Sequence, residues 1–225
     1  MPATTTRPAR VLVVDDHPIV RHGIAELISM EADLEVCGLA DEAYEALQVV
    51  ETERPDVSVI DISIKGSLNG IELIKMARSV QPDFTALVLS IHQEAIYAER
   101  ALRAGAKGYL MKDEATGNVV QAIRDVLNGQ VHVSKRVAMS VLRSLSNDRA
   151  VAAETPVARL SDREFEVFQL IGAGYAPRHI AEELHVSVRT VETHRERIKI
   201  KLHLEDAAAL TRYAVNWKQG LAEES

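Results

Sequence analysis

The sequence predicts two folds in one chain: a doubly wound α/β domain with a five-stranded parallel sheet, and then an all-α domain. Over residues 9–129, short β-rich stretches alternate with amphipathic stretches of helical period. Parallel strands need crossover helices between them, so this alternation indicates a parallel sheet. Residues 159–217 show helical patterns throughout, which predicts the second, helical domain.

The five predicted strands are short apolar runs separated by helix-period segments. The strand sequences are RVLVVD, LEVCGLA, DVSVID, TALVLS and KGYLMK. The segments between them include GIELIKMARSV and AIYAERALRAG. Gly105 and Gly129 stand where glycine commonly ends a helix.

Changes in composition mark the domain boundaries. We predict an N-terminal tail, the α/β domain, a helix with a linker, and the helical domain, at residues 1–8, 9–129, 130–158 and 159–220. A short helix is predicted around Lys135 to Leu145, and the polar, Pro-containing SNDRAVAAETPVA after it is typical of a linker. In the helical domain, helix starts are predicted near Ser161, Ser187 and Glu205 or Asp206, with Pro177 in a first turn.

The composition excludes several classes of protein. A net charge of -7 excludes a uniformly basic coat for nucleic acid, while a local basic patch remains compatible with it. The single cysteine, Cys37, excludes an intramolecular disulfide framework and fits a reducing compartment. No apolar run approaches the roughly 20 residues of a membrane span, and the run behind MPATTTRPAR is too short for a signal peptide. We therefore expect a soluble, cytoplasmic protein without a membrane partner.

Polar side chains stand at the ends of the predicted strands. Asp15 and Asp16 close the first strand, and Asp61 closes the third. Ser90 closes the fourth strand and Lys112 the fifth. In an open α/β sheet, ligands bind beyond the carboxyl ends of the strands. A single aspartate there often merely starts a loop or caps a helix, but five polar residues at the right strand ends favour a site.

The charges of these residues predict phosphoryl chemistry with a metal ion. Three converging carboxylates repel one another unless a cation lies among them, and an all-oxygen site of this kind suits Mg²⁺. Lys112 then remains to pair with a further anion, for which a phosphoryl group fits. We predict Asp61 as the nucleophile, Mg²⁺ and Lys112 on the developing charge, and Ser90 as a hydrogen-bond donor.

Four segments of the first domain resemble the receiver domain of response regulators, which has a flavodoxin-like fold. They are VLVVDDHP, PDVSVIDIS, VLSIHQ and RAGAKGYLMKD. The resemblance implies that Asp61 is the phosphoacceptor and that Ser90 and Tyr109 form the switch pair. It implies that Mg²⁺ is held by Asp15, Asp16, Asp61 and the backbone carbonyl of Ser63. An ordinary strand aromatic packed against a helix is the alternative for Tyr109.

Two positions depart from the receiver pattern. Lys65 stands four residues after the phosphoacceptor, where receivers usually carry proline, and Asp113 follows Lys112 where many carry proline. We therefore expect the loop after the phosphoacceptor to differ in shape or lifetime. Ser63 and His92 lie at positions that border the phosphoryl group in this family and tune its lifetime, although an exposed loop histidine is the alternative for His92.

The second domain contains APRHIAEELHVSVRTVETHRERIKIKL, which predicts a helix, a short turn and a second helix. At about 100° per residue, the second helix has a packing face and an opposite, outward face. The packing face holds Val191, His194, Ile198 and Leu202, and the outward face holds Arg189, Thr193, Glu196 and Ile200. Between Ser187 and Lys201, five Lys or Arg stand against two Glu, a local basic helix that indicates a duplex reader. A solvated charged face is the alternative.

The segment from LSDREFEVFQL to the end of that second helix closely resembles the LuxR-type module, a four-helix, helix-turn-helix DNA-binding domain whose pairing with a receiver defines the NarL/FixJ group. Side chains that suit contacts to DNA phosphates are Thr190, Arg197, Lys199 and Lys201. Side chains that point toward base edges are Arg189, Glu192, Thr193 and Glu196. His194 has no second ligand at useful spacing, so we interpret it as core rather than as a metal ligand.

The last helix, DAAALTRYAVNWKQG, is small and apolar on one side, which carries Tyr213 and Trp217. Packing inside the domain explains part of this surface. In the resembled family the same helix joins two DNA-bound modules, so we expect Tyr213 and Trp217 at a dimer contact.

The resemblance implies a two-component response regulator that controls transcription. Phosphorylation of Asp61 by a sensor histidine kinase is expected to control dimerisation and sequence-specific binding to an inverted repeat in double-stranded DNA, with RNA polymerase as a candidate further partner. No enzyme activity is expected beyond Mg²⁺-dependent self-phosphorylation and autodephosphorylation. One alternative is a haloacid-dehalogenase-type phosphohydrolase, which needs a second aspartate where this chain has Ser63. Another is a DNA-binding regulator that ignores phosphate, for which Lys65 leaves room.

Overall fold

The computed structural model describes residues 7–91, 94–139 and 156–223, which fall into two compact units. The helix predicted around Lys135 is described over residues 135–139, where it is helical. The remainder of that helix, most of the predicted linker and residues 1–6 of the predicted tail lie outside the described residues. No helix within the described ranges has both the length and the apolar character needed to cross a bilayer.

The first unit is built on one parallel sheet with helices on both faces. Its strands are β1 (Ala9–Val14), β2 (Leu34–Ala40), β3 (Val57–Asp61), β4 (Ala86–Ser90) and β5 (Gly108–Met111). Its helices are α1 (Pro18–Ser29), α2 (Ala43–Glu53), α3 (Gly70–Val80), α4 (Glu94–Ala104) and α5 (Ala115–Leu127). The strand order is β2-β1-β3-β4-β5, with every pair parallel. This confirms the predicted doubly wound α/β fold.

The order of the strands places a crevice where β1 and β3 end. Every residue of β3 and β4 is buried, as expected for strands covered by helices on both faces. Strand order reverses between β1 and β3, because the chain leaves β1 for β2 on one side and returns to β3 on the other. Ligand sites of doubly wound sheets form at such a reversal, outside the carboxyl ends of the strands.

Two glycines end helices as predicted, and a third permits a close approach. Gly105 and Gly129 follow α4 and α5 with φ angles of 108° and 78°, which residues with a side chain rarely adopt. A Cβ atom at Gly70 would lie 2.0 Å from the carbonyl oxygen of Asp61. Gly70 therefore allows α3 to begin directly against the backbone of Asp61.

After α5 the chain returns to the edge of the sheet. The backbone N–H of Tyr109 donates to the carbonyl of His132 at 2.8 Å. The N–H of His132 donates in turn to the carbonyl of Lys107 at 3.0 Å, so His132 forms a single parallel bridge beside Gly108 of β5. The imidazole Nδ1 of His132 lies 2.8 Å from a carboxylate oxygen of Asp125 on α5. These contacts fasten the start of the segment after α5 to β5.

The described part of the second unit is a bundle of four helices. They are α6 (Asp162–Gly172), α7 (Pro177–Glu183), α8 (Val188–Leu202) and α9 (Ala207–Glu223), preceded by a 3₁₀ turn at Pro156–Arg159. The short turn between α7 and α8 makes these two helices the predicted helix-turn-helix. This confirms the all-α prediction for the second domain.

The helices of the second unit begin at the predicted capping residues. Ser161 begins α6 in a capping box with Glu164, each side chain accepting from the other's backbone N–H. Ser187 caps α8, and Asp206 accepts a backbone hydrogen bond at the start of α9. Pro177 occupies the first turn of α7.

Candidate functional site

The polar residues predicted at the strand ends come together at the carboxyl edge of the first sheet. Asp61 is the last residue of β3, and Lys112 directly follows β5. The Lys112 Nζ atom lies 2.7 Å from Asp61 Oδ2 and 2.7 Å from Asp15 Oδ2. Parallel strands end at the same edge of a sheet, so residues distant in sequence are brought to one point. The structure thus brings Asp15, Asp61 and Lys112 of the predicted set together.

Burial changes the protonation behaviour of Asp61. Its side chain is only 2% exposed, and Asp15 and Asp16 are also buried. Burial raises the pKa of Asp61 to about 7; the Lys112 ammonium acts in the opposite direction, and the two neighbouring carboxylates raise the pKa further. A cation placed among these carboxylates would favour the ionised form of Asp61.

Lys112 keeps its charge at this buried position. Burial alone would lower the pKa of its ammonium, but attraction to Asp61 and hydrogen bonds with Asp15 and Asp61 outweigh burial, so the pKa is raised. The site therefore combines a permanently charged ammonium with a carboxylate whose charge depends on its surroundings.

The donor set of this edge fits Mg²⁺. Ligand atoms of Asp15, Asp16, His17 and Asp61 lie within 4.8 Å of one another. Carboxylate oxygens are the donors that Mg²⁺ prefers, and a small number of carboxylates completed by waters is its usual protein environment. The backbone N–H of Ser63 donates to Asp61 Oδ1 at 3.3 Å, which places Ser63 beside Asp61. The role of the Ser63 carbonyl as a ligand stays a prediction.

Sequence reasoning missed His17. Its Nδ1 atom lies 2.8 Å from Asp16 Oδ1 and 3.4 Å from Asp15 Oδ1, although its side chain is 63% exposed. The only signal was its position directly after the two aspartates in the DDHP stretch. His17 therefore borders the acidic site on its open side.

The two predicted switch residues are buried on adjacent strands. Ser90 ends β4 and is fully buried, and Tyr109 on β5 is 1% exposed. The side chains of Ser90 and Tyr109 are thus inside the unit. Their function as a switch stays a prediction. His92, which was predicted to border the phosphoryl group, lies outside the described residues.

The residue that replaces the usual proline makes contacts of its own. Lys65 Nζ lies 3.0 Å from Asp41 Oδ2, and the backbone of Lys65 forms a parallel bridge with Glu42. Neither partner could be inferred from sequence, since both belong to the loop after β2. Asp113, the second departure from the pattern, is exposed.

Helix α8 divides into the predicted packing and outward faces. Val191, Ile198 and Leu202 are buried, whereas Arg189 and the rest of the outward set are exposed. Among that set, the apolar Ile200 is 72% exposed. The face that was predicted to point toward DNA is therefore available on the surface of the unit.

Both predicted base-reading carboxylates are already paired within α8. Glu192 Oε1 lies 3.0 Å from Arg195, and Glu196 Oε1 lies 2.9 Å from Lys199. In contrast, the structure shows no ion pair of Arg189 or Arg197 with any side chain in the described ranges. An external anion can therefore bind these two arginines without displacing a glutamate of α8.

Lys201, which was predicted to contact a DNA phosphate, also has a contact inside the second unit. Its Nζ atom lies 2.6 Å from Glu164 Oε2, and Glu164 is only 4% exposed. Burial alone would raise the pKa of Glu164, but the Lys201 ammonium and the Ser161 N–H outweigh burial and lower the pKa. Lys201 thereby holds α8 against the capping box of α6.

His194 is a packing residue, as predicted. Burial, followed by the nearby Arg163 guanidinium, lowers the pKa of its imidazole, so the ring is neutral at pH 7. Within the described residues its buried Nδ1 has no hydrogen-bond partner, and no cluster of metal-ligating side chains includes it.

Tyr213 and Trp217 pack inside the second unit, and their role at a dimer contact stays a prediction. The Trp217 ring lies edge-on to Phe165 and Phe168 of α6, with centroid distances of 5.7 and 5.6 Å. The Tyr213 ring lies 6.0 Å from Phe168. Both side chains are half-buried, so each is first a core residue of the second unit.

Comparison with protein families assigns each unit. Residues 11–124 match the response regulator receiver domain, and residues 158–214 match the luxR family of bacterial regulatory proteins. The oxygen regulatory protein NreC of Staphylococcus epidermidis is 33% identical over 213 residues, which cover 93% of this chain and 98% of the relative. NreC of Staphylococcus carnosus is 34% identical over 214 residues, with the same coverage of both chains.

Solved structures give the same result. RcsB of Salmonella enterica serovar Typhimurium, bound to the promoter rprA in the presence of the phosphomimetic BeF3-, is 25% identical with a TM-score of 0.58, covering 93% of this chain and 99% of its own. A LuxR-family two-component response regulator from Aurantimonas sp. SI85-9A1 is 33% identical with a TM-score of 0.56, covering 61% and 98%. The chain therefore belongs to the NarL/FixJ-type response regulators, transcription regulators that join a receiver domain to a LuxR-type DNA-binding domain.

Proposed function

We propose that this response regulator is phosphorylated on Asp61 by a sensor histidine kinase, and that the phosphoryl group controls dimerisation and sequence-specific DNA binding. The observation that carries the proposal is the geometry of Asp61. Its carboxylate is buried at the carboxyl edge of the sheet, 2.7 Å from the Lys112 ammonium and beside Asp15 and Asp16. A nucleophile, a fixed positive charge and a cation-binding pair are the groups that phosphoryl transfer to a carboxylate requires.

In the proposed reaction a carboxylate oxygen of Asp61 forms a bond to phosphorus while the bond from phosphorus to the donor's leaving atom breaks. Asp15, Asp16 and Asp61, with the carbonyl of Ser63, would hold Mg²⁺, which supplies positive charge against the phosphoryl oxygens. Lys112 stays charged throughout and donates to the transferred group, because its pKa is raised where it lies.

The proposed output begins at Ser90 and Tyr109. The Ser90 hydroxyl, at the end of β4, would move toward the phosphoryl group and donate to it. Tyr109 on the adjacent strand would respond to this movement of Ser90. The backbone N–H of Tyr109 donates to the carbonyl of His132 at 2.8 Å. This hydrogen bond joins the switch strand to the segment that leads toward the second unit, and it supports coupling between phosphorylation and output.

At the proposed DNA interface, Arg189 and Arg197 are the leading contacts on α8. Arg189 would read a base, for which guanine is the usual partner, and Arg197 would contact a phosphate. The glutamates paired on the same helix would oppose non-specific attraction to DNA. A structure of RcsB, which is 25% identical, is described as two dimers bound to two parallel DNAs. This supports a two-fold dimer here, and a two-fold dimer fits an inverted repeat.

The test uses the full chain, acetyl phosphate and Mg²⁺. We expect base-labile, acid-stable labelling that disappears in Asp61→Asn and persists in the matched control Asp83→Asn, an exposed aspartate that precedes β4. DNA selected from a random library by the phosphorylated protein should then bind the unmodified protein more weakly. Phosphate retained by Asp61→Asn would refute the phosphoacceptor assignment, and equal DNA affinity in both states would refute control by phosphate.

A further inference from the structure

The loop between β3 and α3 (residues 62–69) carries Ser63, and it is anchored at both of its ends. The side chains of Ile62 and Ile64 on either side of Ser63 are buried in the first unit. At the far end, buried Asn69 caps α3 in a capping box with Glu72. These contacts leave residues 65–68, in the middle of the loop, without a buried apolar anchor.

Lys65 fastens the middle of this loop to the loop that follows β2. Its ammonium pairs with Asp41 Oδ2 at 3.0 Å, and its backbone forms a parallel bridge with that of Glu42. Gly66 follows with a φ of 97°, a conformation suited to glycine, so the chain turns away directly after the bridge. Two independent contacts, one between side chains and one between backbones, thus converge on Lys65.

The position of Asp41 links this tether to the acidic site. Asp41 directly follows Ala40, the last residue of β2, and the Ala40 carbonyl accepts a hydrogen bond of 3.1 Å from the backbone N–H of Asp15. The loops after β1, β2 and β3 are therefore joined in series. We therefore expect a displacement of Lys65 relative to Asp41 to change the spacing between Ser63 and the Asp15 backbone.

We propose that Lys65 is a positioning residue whose ion pair with Asp41 holds Ser63 at its distance from Asp15 and Asp16, and thereby sets Mg²⁺ affinity. The inference rests on the proposed function insofar as these residues hold Mg²⁺ for phosphoryl transfer. Proline, the usual residue of receivers at this position, stiffens the backbone without a partner. At Lys65 the side chain contributes through its ion pair with Asp41, beside the backbone bridge to Glu42, so part of this tether is a charge pair that salt screens.

The first measurement is Mg²⁺ binding to the full chain by titration calorimetry. Both side chains of the pair are partly exposed, so we expect Lys65→Met and Asp41→Asn each to weaken Mg²⁺ binding by about two- to fivefold, as for an exposed ion pair. Lys65→Arg should bind like the unsubstituted protein. Lys107→Met is the matched control, because Lys107 is an exposed lysine at the opposite end of the sheet.

The exchange variant separates positioning from a general loss of charge. Combining Asp41→Lys with Lys65→Asp reverses the pair, and Mg²⁺ affinity should return to within about twofold of the original. In the metal-free protein, amide hydrogen exchange at Ser63 and Ile64 should quicken in Lys65→Met and slow again in the reversed pair. The difference in Mg²⁺ affinity between Lys65→Met and the original protein should also shrink in about 1 M salt, where the Debye length is about 3 Å.

Unchanged affinity and exchange in Lys65→Met would overturn the inference. An effect in Lys65→Met that is absent in Asp41→Asn would overturn it as well, because Lys65 would then act without Asp41. Circular dichroism checks that each variant is folded. Failure of the proposed function is distinguishable: an unsubstituted protein that takes no label from acetyl phosphate refutes phosphorylation, while calorimetry and exchange still decide on the tether.

Discussion

The carboxyl edge of the first unit and helix α8 of the second both concentrate charge, but they hold it in opposite ways. At the edge, Asp15, Asp61 and Lys112 come from different strands and are packed together away from solvent. On α8, each glutamate pairs with a basic side chain three residues further along the same helix, and the carboxylate remains partly exposed to water. Removal of a buried charge leaves its partners uncompensated, whereas water replaces an exposed one. Substitutions should therefore have large, shared effects at the edge and small, additive effects on α8.

The largest effect is expected for Lys112→Met. This change removes the only ammonium that contacts Asp61 within the described residues, so labelling by acetyl phosphate should slow by about 10²- to 10³-fold, the usual loss for one preorganised charge donor. Initial labelling rates at saturating Mg²⁺ measure this loss, with Lys107→Met as the control. A loss below about tenfold would mean that removing a buried charge at the edge costs little more than removing an exposed charge on α8, contrary to the difference in burial.

The second effect concerns pH and the stability of the first unit without Mg²⁺. The folded protein holds a proton on Asp61 up to a pKa of about 7, against an ordinary value of 3.8. The folded state thus binds more protons than the unfolded state between these values, and its stability falls as pH rises through this window. Above pH 7, Asp61→Asn should be more stable than the unsubstituted protein by up to about 4 kcal/mol.

Below pH 3.8 that advantage should vanish, because Asp61 is then protonated in both states. Calorimetric unfolding in chelator across this range measures the difference. Addition of Mg²⁺ should reverse its sign, since the ion stabilises the ionised carboxylates and binds the asparagine variant more weakly. A pH-independent difference would mean that packing, rather than the charge of Asp61, controls stability at this edge.

The sequence was sufficient to predict which side chains meet at the carboxyl edge, because a parallel sheet brings the ends of its strands together. Asp15, Asp61 and Lys112 each end an apolar run, and parallel strands carry their ends to one side without further information. The contacts of Lys65 with Asp41 and of His17 with Asp16 required loop conformations, which no periodicity encodes. Helical periodicity likewise identified which face of α8 is buried, but not that Lys201 would meet Glu164 of α6. Periodic patterns indicate burial, whereas partners across elements depend on tertiary packing.

The third effect separates packing from dimerisation on α9. Trp217→Ala removes an aromatic ring that contacts Phe165 and Phe168, so we expect the second unit to lose about 2 to 3 kcal/mol, less than for a fully buried tryptophan. Ala208→Glu instead adds a charge on an exposed position of the same helix. If α9 joins the DNA-bound dimer, Ala208→Glu should weaken two-to-one binding to a palindromic site without loss of stability. Normal dimeric binding by Ala208→Glu would show that the dimer contact lies outside this part of α9.

The smallest effects distinguish two lysines of α8 that look equivalent in sequence. Within the described residues Lys199 pairs with exposed Glu196, so Lys199→Ala should change stability by no more than about 0.5 kcal/mol. Lys201→Ala leaves the buried Glu164 carboxylate without its ammonium, and a loss of about 1 to 2 kcal/mol is expected. The low pKa of Glu164 makes this contribution present above its ordinary pKa and lost as pH falls through the folded value. The difference in stability between Lys199→Ala and Lys201→Ala should therefore become smaller in acid.

Trp217 is the single tryptophan of the chain and belongs to the second unit, so its fluorescence during urea unfolding reports on that unit alone. DNA binding also distinguishes Lys199→Ala from Lys201→Ala. Each lost phosphate contact lowers the salt slope, the slope of log affinity against log salt concentration, by about one. We expect Lys199→Ala to lower the slope while stability stays constant. If Lys201→Ala lowers stability but leaves the slope unchanged, its ammonium serves the Glu164 carboxylate and not DNA, and Arg197 then carries the phosphate contact on that flank.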